Sequence, residues 1–388
     1  MEFMGYKRPD GQVGIRNKLL IIAVDECCDG LAQAIAKGFQ EAVVLSNWYT
    51  CMLGGNEETF NQMVAVGRNP NVAGVLVVAM GCGSILPSQV GDQIAETGKP
   101  VRGLICQEHK GTRAAVAAGI ELLKEIETYA EELVREPCSM SRLVVGIKCG
   151  GSDTSSGLAS NPSVGAAADL LVEMGGTAIG GELFELQGCE DLLKKRAVSP
   201  QVAAKIDRLI AAERRRWSVE GTDVETMSIG NSVGGISTIE EKSLGALHKM
   251  GSKVITDVLA INKDGVERPS APGFYLSEAT MLCGGSAVNF ASYGAQVIMW
   301  TTGGAGFENP IVPVVRISGN EDLFNEDMDV DARGIMSGTV KVSEVARVII
   351  DKIKEIAGGR ATAVEGLGGS TLTLYQKDQR LEKCLGLS

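Results

Sequence analysis

Lys148-Cys149-Gly150-Gly151-Ser152-Asp153 sets a cation, a thiol, a hydroxyl and a carboxylate side by side, with two glycines where the chain must turn. That combination can hold an anion and move a proton, although Cys149 reads equally well as a small buried hydrophobe. Glu182 and Glu185 stand three apart behind Gly180-Gly181. On a helix start they would share a face and serve as acid and base or as ligands of a hard cation; acids at a helix N-terminus also simply complement its dipole. Downstream, Gly230-Asn231-Ser232-Val233-Gly234-Gly235 leads into Ser237-Thr238-Ile239-Glu240-Glu241-Lys242-Ser243. Ser237 with Glu240, or Thr238 with Glu241, would form a capping box, which accounts for one glutamate and not for both. Thr301-Thr302-Gly303-Gly304-Ala305-Gly306 is a further loop suited to binding hydroxyl and carboxylate groups.

Positioning such loops requires strands that end where they begin. Apolar, β-branched runs at 19–24, 42–45, 72–80 and 101–106 alternate with Ala-rich helical stretches near 29–40, 57–68, 87–97 and 110–135. Continuous rather than alternating apolar runs belong to parallel strands buried on both faces. Strands are expected again at 143–148, 177–179, 253–257, 273–276 and 296–300, with helices over 200–219 and 342–356. The fold class is therefore α/β, with two successive domains on mainly parallel sheets, 1–138 and 139–388, joined by a linker near 137–141 that Pro137 opens. Glycine pairs recur where these strands end, the edge at which open parallel sheets bind ligands.

With 48 acidic against 37 basic residues, a net charge of −11 and no basic patch, nucleic acid is excluded as a partner. No apolar run approaches the roughly 20 residues of a membrane span, and no signal segment is visible, so a cytoplasmic location is expected. The ten cysteines contain no C-x-x-C, which argues against a zinc ribbon or a local iron–sulfur motif, while a cluster ligated from distant loops stays open. With only His109 and His248, a metal would need carboxylates, thiolates, substrate oxygens or a partner's imidazoles. Neither G-x-G-x-x-G nor a P-loop is present.

Taken in order, the segments resemble the large subunit of the altronate/galactarate dehydratase family, which includes the β subunit of (2R)-sulfolactate sulfo-lyase. The resemblance runs from Gly5-Tyr6-Lys7-Arg8-Pro9-Asp10-Gly11-Gln12-Val13-Gly14-Ile15-Arg16-Asn17 through Lys148–Asp153, Gly175-Gly176-Thr177, Glu182, Glu185, Glu190 and Arg196-Ala197 to Thr238–Gly245 and Thr301-Thr302-Gly303.

It implies β-elimination from a 2-hydroxy acid: a proton leaves the carbon beside the carboxylate, water or sulfite leaves the next, and the enol becomes a 2-keto acid. It implies a divalent metal, Fe²⁺ being the expected ion, that would stabilise the enediolate-like charge. Lys148, Asp153, Glu182, Glu185, Glu240 and Lys242 become the catalytic candidates, and Cys149, Glu182 and Glu185 the metal ligands. Substrate contacts would come from Arg16, Asn17, Gly150, Gly151, Ser152, Asn231, Thr301, Thr302 and Gly303, with Arg16, Lys148 and Lys242 on the carboxylate or sulfonate. The resemblance also implies homo- or hetero-oligomers and a small histidine-bearing subunit or domain, whose residues are not found in this sequence. Three departures point to altered specificity: Thr301-Thr302-Gly303-Gly304-Ala305 replaces Thr-Thr-Gly-Arg-Gly, Ser277-Glu278-Ala279-Thr280 replaces an Asp-Thr-Pro-like segment, and Thr362-Ala363-Val364-Glu365 replaces Thr-Lys-Ala-Glu; the missing loop arginine also fits a non-catalytic α/β small-molecule-binding protein, against which the retained Lys148, Asp153, Glu182, Glu185 and Glu240 argue.

Overall fold

The computed structural model describes residues 1–48, 51, 56–217, 228–302, 308–366, 372 and 374–376. The chain is α/β, built on two parallel sheets. In the first, strands Lys18–Ala23, Ala42–Ser46, Val72–Ala79 and Val101–Ile105 lie in the spatial order second, first, third, fourth. Val72–Ala79 is buried at every position, as its uninterrupted apolar run requires of a central parallel strand. Helices Asp29–Ala36 and Thr112–Glu132 cover one face; Glu57–Gly67 and Pro87–Ala95 contribute to the core on the other.

The second sheet has seven parallel strands in the order Ile255–Leu259, Gly273–Ser277, Thr177–Gly180, Val144–Cys149, Val297–Thr301, Val314–Ser318 and Val330–Asp331. Helices Asn161–Glu173 and Val342–Ala357 pack together on one face. Helix Cys283–Ser292 lies on the other, against Glu57–Gly67, so that one apolar core runs between the two sheets. Asn71 reinforces this junction, its Nδ2 donating to the carbonyls of Gln296 and Ile311, both at 2.8 Å.

Two local expectations change. The supposed linker at 137–141 contains strand Glu136–Ser139, paired antiparallel with the N-terminal strand Glu2–Lys7. The edge strands Val314–Ser318 and Val330–Asp331 extend the second sheet beyond its expected members. No helix among the described residues is long and apolar enough to cross a membrane.

Candidate active site

Lys148 and Cys149 end the central strand of the second sheet, and Glu182 follows the end of its neighbour Thr177–Gly180. Parallel register therefore brings the two chain segments together at the carboxyl edge. Glu182 is the one described non-glycine residue with positive φ, at 63°. A left-handed conformation costs an L-residue roughly 1–2 kcal/mol, so the surroundings must hold it there. They do: its backbone N–H donates to the Ala279 carbonyl at 2.9 Å, and its carboxylate is gripped from three sides. Oε1 accepts from Lys148 Nζ, while Oε2 accepts from the Cys149 backbone N–H at 2.8 Å and from Lys249 Nζ at 2.6 Å.

Lys249 Nζ also donates to Glu185 Oε2 at 3.0 Å, and Lys242 Nζ lies 3.4 Å from Glu185 Oε1. The result is an alternating chain of charge, Lys148, Glu182, Lys249, Glu185, Lys242. Its inner members are buried, whereas the Lys242 side chain retains 18% exposure. Burial disfavours the Glu185 carboxylate, but Lys249, then Lys242 and Lys148, outweigh it and hold the group at about 2. Burial likewise opposes the Lys249 and Lys148 ammonium groups, and Glu182 with Glu185 raises both above the ordinary lysine value. The Cys149 thiol is pushed up, chiefly by burial; its Sγ sits 3.1 Å from Ser152 Oγ.

Above this chain of charge the loops form the wall of a cleft of about 840 Å³, to which Gly151, Ser152, Asp153, Asn231 and Thr302 contribute. Lys242, Cys149 and Ser152 line an adjoining pocket of about 220 Å³. Asn231 ties the walls together: its Oδ1 accepts from Lys242 Nζ at 3.4 Å, and its Nδ2 donates to the Ser152 carbonyl at 3.4 Å. Asp153 is a loop anchor, accepting from Ser155 Oγ at 2.6 Å, the Ser156 N–H at 2.9 Å and Asn320 Nδ2 at 2.8 Å. Gly150 is required by close approach, since a Cβ there would lie 2.3 Å from Trp300 Nε1 and 2.9 Å from Thr302 Oγ1. Thr301 is buried in its strand, with its carbonyl taken by the Gly150 N–H at 2.7 Å. Gly303 lies outside the described residues.

Three expectations are corrected. Arg16 and Asn17 precede strand Lys18–Ala23 and bind structure: Arg16 donates to both oxygens of Glu365 and to the carbonyls of Ile15, Ile356 and Arg360, and Asn17 donates to the Ala130 carbonyl. Glu240 is exposed in the first turn of helix Ile239–His248, where it complements the dipole. In that turn Thr238 Oγ1 caps the Glu241 N–H at 3.2 Å, and Glu241 binds back to Ser237. Cys149, Glu182 and Glu185 do not suit a divalent cation, because lysines and a backbone N–H already occupy the carboxylate oxygens and the lysines outnumber the carboxylates. Among the described residues, no three His, Cys, Asp or Glu side chains are grouped to hold a metal ion. Lys249 was missed by sequence reasoning: it follows a helix end, and nothing in its local pattern marks it as buried.

A chain of buried charge opening into a cleft at the carboxyl edge of a parallel sheet lies where open α/β sheets place their ligand sites. The sequence comparisons supply the family. Residues 140–379 match the family described as D-galactarate/altronate dehydratase, C-terminal, and residues 5–131 match D-galactarate dehydratase/altronate hydrolase, second domain. The chain is 34% identical to the (2R)-sulfolactate sulfo-lyase subunit beta of Chromohalobacter salexigens, over 94% of this chain and 95% of the relative. It is 32% identical to the altronate dehydratase of Bacillus subtilis, over 92% of this chain and 74% of the relative. It is 28% identical to the L-threo-forming galactarate dehydratase of Escherichia coli, over 92% and 73%. The chain belongs to the galactarate/altronate dehydratase family and is an enzyme of the lyase class.

Proposed function

We propose that the chain catalyses β-elimination from a 2-hydroxy acid, with dehydration of a sugar acid such as altronate to a 2-keto-3-deoxy acid as the leading reaction. The observation that carries this reading is the alternating Lys–Glu chain ending at Lys242. Three ammonium groups around two carboxylates leave a surplus positive charge, and only its Lys242 end is partly exposed. A substrate carboxylate placed there meets a preorganised cation, which strengthens as charge develops on the enediolate. Glu182 and Glu185 fix the positions of the lysines.

A second reading, release of sulfite from (2R)-sulfolactate to give pyruvate, is supported by the match to a sulfo-lyase subunit over 95% of that relative. Both readings include a small histidine-bearing partner that caps the cleft. The altronate dehydratases are matched over only part of their length, and the cleft rim displays Val233, Leu323 and Met336 to solvent. A panel of sugar acids and sulfolactate, assayed for 2-keto acid and for sulfite with and without the co-expressed partner, tests all of this. Keto-acid formation without sulfite supports dehydration, and equal sulfite supports the second reading. A Lys242→Met variant that folds normally and turns over at the wild-type rate would remove the basis of both.

A further inference from the structure

A separate cavity of about 360 Å³ lies at the amino edge of the seven-stranded sheet, lined in part by Val144 and Thr177, where two of its parallel strands begin. The same two strands lead to Cys149 and Glu182 at their other ends. Val144 and Cys149 close a strand of six residues, so they stand roughly 16 Å apart at about 3.3 Å per residue. Arg142 and Arg268 both line this cavity, and no Asp or Glu among the described residues does. Arg268 Nε donates to the Ser292 carbonyl at 3.1 Å and its Nη2 to the Ala65 carbonyl at 2.7 Å, while Arg142 Nη2 donates to the Gly11 carbonyl. Carbonyls satisfy donors without neutralising the charge. Among the described residues neither guanidinium forms an ion pair, and Arg268 Nη1 with Arg142 Nε and Nη1 have no acceptor. Burial pushes the Arg268 guanidinium down to about 10, Arg68 pushes it the same way, and only Asp10 opposes them. Asp10 spends its oxygens elsewhere, on the Gln12 N–H at 3.0 Å and on Gln12 Nε2 at 2.6 Å.

We propose that this cavity binds a small organic oxyanion, its carboxylate or phosphoryl group held by Arg142 and Arg268, at a site separate from the Lys148–Glu182 cleft. Two half-satisfied cations with no acid beside them leave a positive charge that a bound anion would neutralise, and the planar fork of a guanidinium matches carboxylate and phosphate oxygens alike. Pro269 and Pro272, which follow Arg268 in the wall, fix the backbone around it, so the pocket is formed before its ligand arrives. A volume near the lower end of the range of about 300–1,000 Å³ that small-molecule sites occupy fits a metabolite rather than a polymer.

The test is titration calorimetry of the full chain with succinate and, separately, with inorganic phosphate, at fixed ionic strength. Saturable binding of at least one of the two is expected. Succinate alone assigns a carboxylate ligand, phosphate alone a phosphoryl ligand, and both together a site for either oxyanion. Arg142 is exposed, so Arg142→Met should fold normally and weaken binding by about tenfold or more, the loss expected with one charge-assisted hydrogen bond. Arg268→Gln should do the same, and Arg142→Met carries the test should that variant fold poorly. Lys242→Met should leave the binding intact, because Lys242 belongs to the opposite edge of the sheet. Absence of saturable binding of either anion, binding unchanged in well-folded Arg142→Met, or binding lost in Lys242→Met would overturn the assignment.

Discussion

Two buried cation–carboxylate assemblies are built differently. At the base of the first sheet, Arg16 places its guanidinium on Glu365 and on the carbonyls of Ile15, Ile356 and Arg360, a closed set in which one cation meets one anion. At the edge of the second sheet, three lysines surround Glu182 and Glu185, Glu182 adopts a strained backbone, and one end of the chain faces a cleft. Burial alone therefore does not mark a functional charge. Surplus charge, stored strain and access to a cleft distinguish the second assembly from the first.

That contrast can be broken by mutation. Lys242→Met should lower kcat by about 1,000-fold with little change in melting temperature, because it removes the accessible cation. Glu182→Gln should cost roughly 100-fold in turnover while far-ultraviolet circular dichroism stays native; unchanged kinetics would reduce Glu182 to a structural role. Arg16→Ala reverses the pattern. It should cost about 3 kcal/mol of stability in denaturant titration through the unpaired Glu365, with kcat per folded molecule preserved.

Acid sharpens the comparison further. The folded Glu185 carboxyl sits at about 2, below its ordinary 4.5, so its stabilising contribution is complete above pH 4.5 and is lost as pH falls towards 2. Wild-type stability should thus fall more steeply across that interval than that of Glu185→Gln; parallel curves would mean that the lysines do not hold the carboxylate. The smallest effect belongs to Glu240→Gln. Turnover within about twofold of wild type and stability within about 0.5 kcal/mol are expected of an exposed helix-start residue.

Much of this was legible without coordinates. The apolar runs placed the central strands, since a parallel strand buried on both faces cannot carry polar residues. Glycines at their ends mark the loop edge, Lys148, Glu182 and Glu185 stand out by residue type beside those loops, and Lys242 is singled out by the family resemblance. The opening motif was harder to interpret. Arg8 donates to the Pro70 and Arg16 carbonyls and to Asn17, so this segment is a structural clasp although the family resemblance implies substrate contacts there.

By itself, the sequence determined the α/β class, the strand–loop edges and most of the charged residues placed there, because local period and turn chemistry act between near neighbours. Only the tertiary structure decided which charges are paired. Lys249 meets Glu182 across 67 positions and Arg16 meets Glu365 across 349. Such pairings depend on through-space distance and on how much water is excluded, quantities that exist only once the chain has packed.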